Sequence, residues 1–378
     1  MGGGPGGLTL ARLLQMNGAE VKVYERDEHK DARLKGATLD LHQESGLAAL
    51  QEAGLMDAFK ANYRPGAEKL RIIDKNAIIM FEDHPTTEEE ISRPEIDRGP
   101  LQQILLDSLQ PGTVVWDSRF EALSPQNESW KLEFKNGNHA LADIVIAADG
   151  ANSKIRPYIT TLKPIYSGNT IVEGTVYHSE TASPNIHKLL NGGKIFAFGD
   201  SKTVVVSSKG DGSLVFYTGC NTDEAWSWDS GIDFSDKAQV LAWFQKGFAG
   251  WDNAWLELFE NATSPFVPRP QYCMPLDKEW ETQPNLTLIG DAAHVMPPYA
   301  GEGVNMAMQD ALELSQCLLG NVFENVQDAI AAYEKQMHKR FAEVGKQTMD
   351  NTKWMHSPDG LSIILDFFNQ TKNQQDKQ

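Results

Sequence analysis

No stretch of these 378 residues approaches the roughly 18 consecutive apolar residues that a helix needs to cross a bilayer. A basic amino-terminal region followed by an apolar segment is missing too, so no secretory leader is expected and the chain is read as cytoplasmic. Cysteine is scarce. Cys220, Cys273 and Cys317 are widely separated and odd in number, which argues for free buried thiols over disulfides or a zinc site, and no metal is expected. Positive charge is in deficit, with 34 Lys and Arg against 52 Asp and Glu and a formal net charge of −18. That balance argues against nucleic acid or an anionic membrane as a partner. There is no internal repeat. What remains is a globular composition, 41% hydrophobic, in a chain longer than one ordinary domain. A small-molecule partner and a monomeric state are expected.

Two separated motifs stand out. At the amino terminus Gly2-Gly3-Gly4-Pro5-Gly6-Gly7 opens a helix expected over residues 5–17, with Gly18 as its stop. A strand from Glu20 to Glu25 then ends in an acid. From Gly7 to Glu25 the spacing is 25 − 7 = 18 residues, close to the roughly 20 at which an acid caps the second strand of a dinucleotide fold and binds the adenosine ribose. A glycine-rich turn without function is the competing reading. Leu8 after Gly7 rules out a Walker A loop, which needs Lys and Ser or Thr there. Near the other end, the apolar strand Leu286–Ile289 delivers Asp291 in Gly290-Asp291-Ala292-Ala293-His294. The run Met296-Pro297-Pro298-Tyr299-Ala300-Gly301-Glu302-Gly303-Val304-Asn305 follows, with a helix opening at about Gly303. A carboxylate beside the free N–H groups of a helix start suits a ligand with hydroxyls and developing negative charge. The two motifs together read as the ends of a site for a long dinucleotide, and FAD fits best.

A strand is expected before the glycine turn, but Met1 leads straight into it. In a doubly wound fold that strand is central, so its absence would leave its neighbours' hydrogen bonds unpaired. A misassigned start and a truncation both account for this.

Between the motifs, a helix is expected over Leu101–Leu109 and a strand over Val114–Trp116. A meander follows, in which Trp130, Leu132 and Phe134 alternate with charges, turning at Asn136-Gly137-Asn138. The wholly apolar run Ile144–Ala148 reads as a strand buried on both faces. It stops at Asp149-Gly150, followed by Ser153 and Arg156, a third informative piece whose plain alternative is a capped strand-to-helix turn. From about 165 to 280 the pattern is β-rich, with strands at Thr170–Tyr177, Lys194–Phe198, Thr203–Ser207 and Leu214–Thr218. Val326, Ile330, Tyr333, Met337, Phe341 and Val344 recur at helical spacing, and Leu361–Phe368 is a short terminal helix. The expected fold class is α/β: a Rossmann-like dinucleotide domain over 1–75, 95–160 and 281–320, with an antiparallel β-sheet substrate domain over 76–94 and 161–280. Carboxy-terminal helices would occupy 321–368, and residues 369–378 a frayed polar tail.

The glycine turn, Asp149-Gly150 and Gly290-Asp291, in this order over nearly the whole chain, resemble class A flavoprotein monooxygenases of the para-hydroxybenzoate hydroxylase type. Tyr24-Glu25-Arg26-Asp27, Gly36–His42, Pro94–Arg98 and Met296–Gly301 look most like the tetracycline-inactivating (TetX-type) flavin monooxygenases. The resemblance implies FAD held at Gly2, Gly4, Gly7, Glu25 and Arg26 at the adenosine end. Asp40 and Arg98 would lie nearer the flavin, with Asp149, Asp291, Pro298, Gly301, Gly303, Val304 and Asn305 completing the site. It places NADPH use at Arg33, for which a solvated arginine in a charged loop is the alternative. A second GxGxxG is not found, and Gly210-Asp211-Gly212 has Val215 where the third glycine belongs, so NADPH is expected to bind transiently. Dioxygen would add at flavin C4a, and the hydroperoxide would pass oxygen to an electron-rich carbon of an aromatic or polyketide compound. The cofactor carries that chemistry, so no catalytic side chain is nominated. His294 is read as packing or hydrogen bonding its loop, with a catalytic role as the alternative.

Substrate contacts are expected from Glu173, Lys194, Phe196, Val215 and Tyr299, with Phe198 and Phe216 as further apolar walls or core. Where the tetracycline enzymes carry glutamine, arginine and histidine, this chain has Glu173, Lys194 and Val215, which puts that polyketide in doubt. Trp226-Ser227-Trp228 resembles the Trp-x-Trp of flavin halogenases, but Asp229-Ser230 replaces the Ile-Pro expected next. Two rivals remain: a flavin-dependent dehydrogenase or reductase of the same fold, and a truncated, non-catalytic ligand-binding remnant.

Overall fold

The computed structural model describes residues 1–32, 38–83, 93–263 and 265–375, the side chains of 371–375 excepted. Arg33, Gly36, Ala37 and residues 376–378 therefore lie outside the described residues. The chain divides into two compact units. One comprises Met1–Tyr63, Arg98–Ile165 and Tyr272–Thr348, and the other Arg64–Asp97, Tyr166–Gln271 and Met349–Gln378. Residues 64–75 thus fall in the second unit and 321–348 in the first.

In the first unit the helix Pro5–Met16 begins where Gly4 caps it and Pro5 has no N–H to satisfy. It stops at Asn17-Gly18, with Gly18 at φ +82°. Leu8, Leu10 and Leu13 are all buried, on more than one side of the helix, each worth about 1.5–3 kcal/mol. This helix packs on Gly303–Leu319, close enough that a Cβ on Gly6 would lie 2.8 Å from the Ala307 carbonyl oxygen. Val23–Tyr24 pairs in parallel with Val114–Val115, and Val145–Ala147 with Leu286–Leu288. The strand expected over Glu20–Glu25 is regular only at Val23–Tyr24, where Val23 and Glu25 donate to the carbonyls of Thr113 and Val115. Met1 and Gly2 run between the two pairs. The Met1 amino group donates to Ile146 O (2.8 Å), Ala148 N to Met1 O (2.7 Å) and Gly2 N to Tyr24 O (2.9 Å). Burial pushes the Met1 amino group's pKa down, against the attraction of Asp149 and Glu25. The meander is a three-stranded antiparallel sheet of Phe120–Gln126, Ser129–Phe134 and His139–Ala142. Ile330, Tyr333, Met337 and Phe341 of the helix Val326–Met355 are buried, as their spacing requires.

The second unit is built on a seven-stranded sheet. Its order is Val267–Cys273, Ile165–Val176, Leu214–Asn221, Lys202–Ser208, Lys194–Gly199, Leu70–Asp74, Ile79–Asp83. The central pairs are antiparallel, and Lys194–Gly199 lies parallel to Leu70–Asp74. One face carries Val172, Ile195, Val206 and Phe216 into a core with Val240, Phe244, Trp255 and Phe259. The helix Gly360–Gln375 extends past Phe368. All three cysteines are free thiols, and burial raises Cys220 to about 12 and Cys273 to about 11. Among the described residues no helix is long and apolar enough to cross a membrane.

Candidate cofactor site

The glycine turn is shaped by how closely backbone meets backbone. Gly2 has φ +101°, and a Cβ there would lie 2.2 Å from Ala148 O. A Cβ on Gly7 would lie 2.2 Å from Gly2 O. The protein itself requires glycine at both positions. Gly4 differs: its φ of −77° suits any residue, and a Cβ there meets no atom of the described residues within 4 Å. Glycine at 4 is what a ligand lying against the first N–H groups of the helix needs. Glu25 closes the turn, accepting from Gly3 N (2.5 Å) and Asp27 N (3.1 Å), while Arg26 beside it is exposed.

The other two motifs meet through Arg156. Its guanidinium is buried and donates to the carbonyl oxygens of Ala292 (2.6 Å), Asp291 (2.9 Å) and Ala151 (3.0 Å), joining the turn after Asp149 to the turn after Gly290. Asp149 accepts from Lys154 N through Oδ2 (2.8 Å), and its buried Oδ1 has no partner among the described residues. The Asp291 side chain is open to water yet hemmed in by protein, as a group lining a recess is. Desolvation there raises its pKa, against His294, Arg98 and Arg156, which favour the anion.

Behind Gly290 lies a buried ionic group that the motif alone does not reveal. Asp310 is fully buried and accepts from Gly290 N (2.7 Å) and His294 Nε2 (2.6 Å) on one oxygen, and from Arg340 (2.6 Å) on the other. Arg340 also pairs with Glu313 (2.6 and 2.7 Å). Desolvation alone would raise the Asp310 pKa, but His294, Arg340 and the Gly290 N–H outweigh it and hold the group ionised. His294 is thus fixed behind its loop, stacked on Phe341.

Asp40, Gly301 and Asn305 come together in the same unit. A Cβ on Gly301 (φ +72°) would sit 3.7 Å from Asp40 Oδ1, and Asn305 Nδ2 donates to Asp40 O (2.9 Å). Pro298 and Tyr299 lie in the single turn Pro298–Ala300, anchored where Thr348 Oγ1 donates to Pro297 O (2.7 Å). Gly303 and Val304 form the first turn of the helix Gly303–Leu319.

The substrate candidates of the second unit share a sheet face. Register aligns Glu173, Tyr217, Val205 and Phe196 in one row and Thr175, Val215, Ser207 and Lys194 in the next, on the side opposite the aromatic core. Glu173 accepts from Arg269 Nε (2.6 Å), and Lys194 is ion-paired with the buried Glu95. Val215 is 2% exposed and Phe198 lies stacked against Trp354. Phe216 does not wall this face. Successive strand residues point to opposite sides, so the neighbour of Val215 turns into the core, where its ring lies over Gly174 and packs on Phe259 and Phe266. Phe216→Ala is therefore expected to cost about 3–5 kcal/mol of unfolding free energy. Phe196→Ala should cost less and register instead in the KM for substrate. Urea denaturation beside steady-state kinetics separates the two.

A glycine turn at a helix start, an acid ending the next strand and two further strand-end aspartates define a dinucleotide-binding flavoprotein. Open space at Gly4 and the unpaired Asp149 Oδ1 suit such a ligand. Sequence comparison matches residues 1–198 and 277–351 to the family described as FAD binding domain. A monooxygenase of Penicillium thymicola, penA, is 26% identical over 96% of each chain. The 3-amino-4-hydroxybenzoate 2-monooxygenase PtmB3 of Streptomyces platensis is 29% identical, covering 95% of this chain and 88% of that one. The crystal structure of tetracycline destructase Tet(51) superposes with a TM-score of 0.72 at 19% identity, over 99% of this chain and 94% of that one, a likeness of fold. The chain belongs to the FAD-binding domain family and is an FAD-dependent monooxygenase of the aromatic-hydroxylase type.

Asp310, Arg340, His42 and Glu302 escape the motif reading. Asp310 had a signal: it sits between Met306 and Leu314 at four-residue spacing, a charge on the buried stripe of a helix. Nothing near Arg340 in sequence indicates its partners, whereas His42 stands two residues from Asp40 and far in sequence from Glu302.

Proposed function

We propose that the chain is a single-component monooxygenase that takes electrons from NADPH and inserts one atom of dioxygen into an electron-rich aromatic or polyketide small molecule. The glycine turn, whose position 4 has room that no atom of the described residues fills, carries this reading. Glu25 and Arg26 would receive the adenosine ribose, the N–H groups after Gly4 the pyrophosphate and Asp291 the ribityl chain. Gly301 to Asn305, with Asp40 and Arg98, would face the flavin ring. Arg33 is assigned to NADPH on resemblance alone. Bound FAD supplies hydride acceptance and dioxygen activation, so that NADPH, H⁺, O₂ and substrate give NADP⁺, water and hydroxylated product. The chain positions the partners and excludes water, and the positive start of the helix Gly303–Leu319 favours negative charge nearby.

Small aminophenols and hydroxybenzoates are the first substrates to test, given the named activity of PtmB3, with tetracycline beside them for the fold it shares with Tet(51). The purified chain is expected to bind one FAD, seen in its visible spectrum. It should oxidise NADPH faster when substrate is present and place one atom of isotopically labelled dioxygen in the product. Substrate oxidation without label would establish a dehydrogenase instead. A chain that takes up no FAD would end the proposal.

A further inference from the structure

Asp40 ends the strand Thr38–Asp40, ahead of the helix Gly46–Glu52, and Glu302 ends the turn before the helix Gly303–Leu319. His42 sits between them. Its side chain is 7% exposed, with Nε2 3.2 Å from Asp40 Oδ2 and Nδ1 3.1 Å from Glu302 Oε1. A carboxylate only accepts, so Nε2 donates to Asp40; with Nδ1 protonated as well, the ring is a cation between the two carboxylates. A second tie runs alongside: Asn305, fully buried, donates to Asp40 O and accepts from His42 N, both at 2.9 Å. The start of the helix Gly46–Glu52 lies hard against it, since a Cβ on Gly46 would fall 2.7 Å from Asn305 Oδ1. Asn305 holds backbone to backbone. His42 spans the two carboxylates, one of which borders the left-handed Gly301.

We propose that His42 is a positioning residue for the cofactor: bridging Asp40 and Glu302, it latches the Pro298–Glu302 turn to the end of the strand Thr38–Asp40 and, protonated, offsets their negative charge beside the flavin. This rests on the assignment of that turn to the flavin ring. Removing the bridge takes the ring from between the two carboxylates. Their repulsion would then push the turn away from the place where the reduced flavin carries its own negative charge.

The test is reconstitution of the full-length apoprotein with FAD, reading the dissociation constant by flavin fluorescence, the flavin midpoint potential, and the melting temperature without FAD. His42→Leu is expected to weaken FAD binding at least tenfold and lower the midpoint potential, with the apoprotein's melting temperature little changed. Glu302→Ala, at a side chain 25% exposed, should shift affinity in the same direction. Glu302→Gln, which keeps an acceptor for His42 Nδ1–H, should recover most of it. Unchanged affinity and potential in both His42→Leu and Glu302→Ala would overturn the proposal. So would a loss of affinity matched by a fall in apoprotein stability with no change in potential. If the wild-type chain takes up no FAD, the flavin assignment falls and this role with it; if only the variants match wild type, the flavin assignment stands.

Discussion

Gly4→Ala is expected to leave the apoprotein folded and melting close to wild type, while its FAD affinity falls by tenfold or more, about 1.4 kcal/mol. Gly2→Ala is expected to do the reverse, damaging the apoprotein first. At Gly4 the backbone is extended and a methyl group meets open space, so only a ligand approaching the helix start can object to it. At Gly2 the methyl group would lie 2.2 Å from a backbone oxygen at φ +101°. An unfavourable left-handed conformation costs about 1–3 kcal/mol. Overpacking against backbone adds about 1–3 kcal/mol. Against a typical total stability of about 5–15 kcal/mol, that is a large fraction. Thermal unfolding with and without FAD separates the two glycines. Equal loss of apoprotein stability in both variants would mean that Gly4 serves packing, and that the open space there is not the cofactor's.

Asp310→Ala is expected to be the most damaging single change to the motif's support. It strips Arg340 and His294 of a buried anion and the Gly290 N–H of its acceptor. Breaking a buried pair from one side costs about 3–5 kcal/mol, because the remaining charge stays buried. Chemical denaturation measures that loss, and FAD affinity should fall with it as Gly290 and Asp291 loosen. The pH dependence has a definite sign. Asp310 titrates below the ordinary carboxylate value in the folded chain, so its contribution is fully present above about pH 4 and is lost as pH falls through the folded value. Asp310→Asn should therefore flatten the acid limb of a stability profile. Asp291 acts oppositely. Its raised pKa means that ionising it opposes folding, with stability declining as pH rises from the unfolded carboxylate value to the folded one. A variant whose acid limb matches wild type would show that Asp310 is not held ionised in the fold.

Much of this was legible in residue order because it is local. Pro5 and Gly18 bracket the first helix, period-two alternation marks Trp130–Phe134, and an unbroken apolar run marks the strand at Val145–Ala147. Each is written within a few residues by backbone geometry or by which side of an element meets water. The alternation rule also separates Val215 from Phe216, but only once register fixes which face is the core.

The sequence by itself determined the class of cofactor, the three motif turns and the strand-rich second unit, because glycine conformations, strand-end acids and side-chain periodicity are local properties. Tertiary structure alone decided which distant polar groups meet. Asp310 and Arg340 are 30 residues apart, and Asp40 and Asn305 are 265 apart. Chain topology brings such groups together, and local sequence carries no mark of it. Burial then turns those meetings into energy, since charges removed from water must find one another or be neutralised.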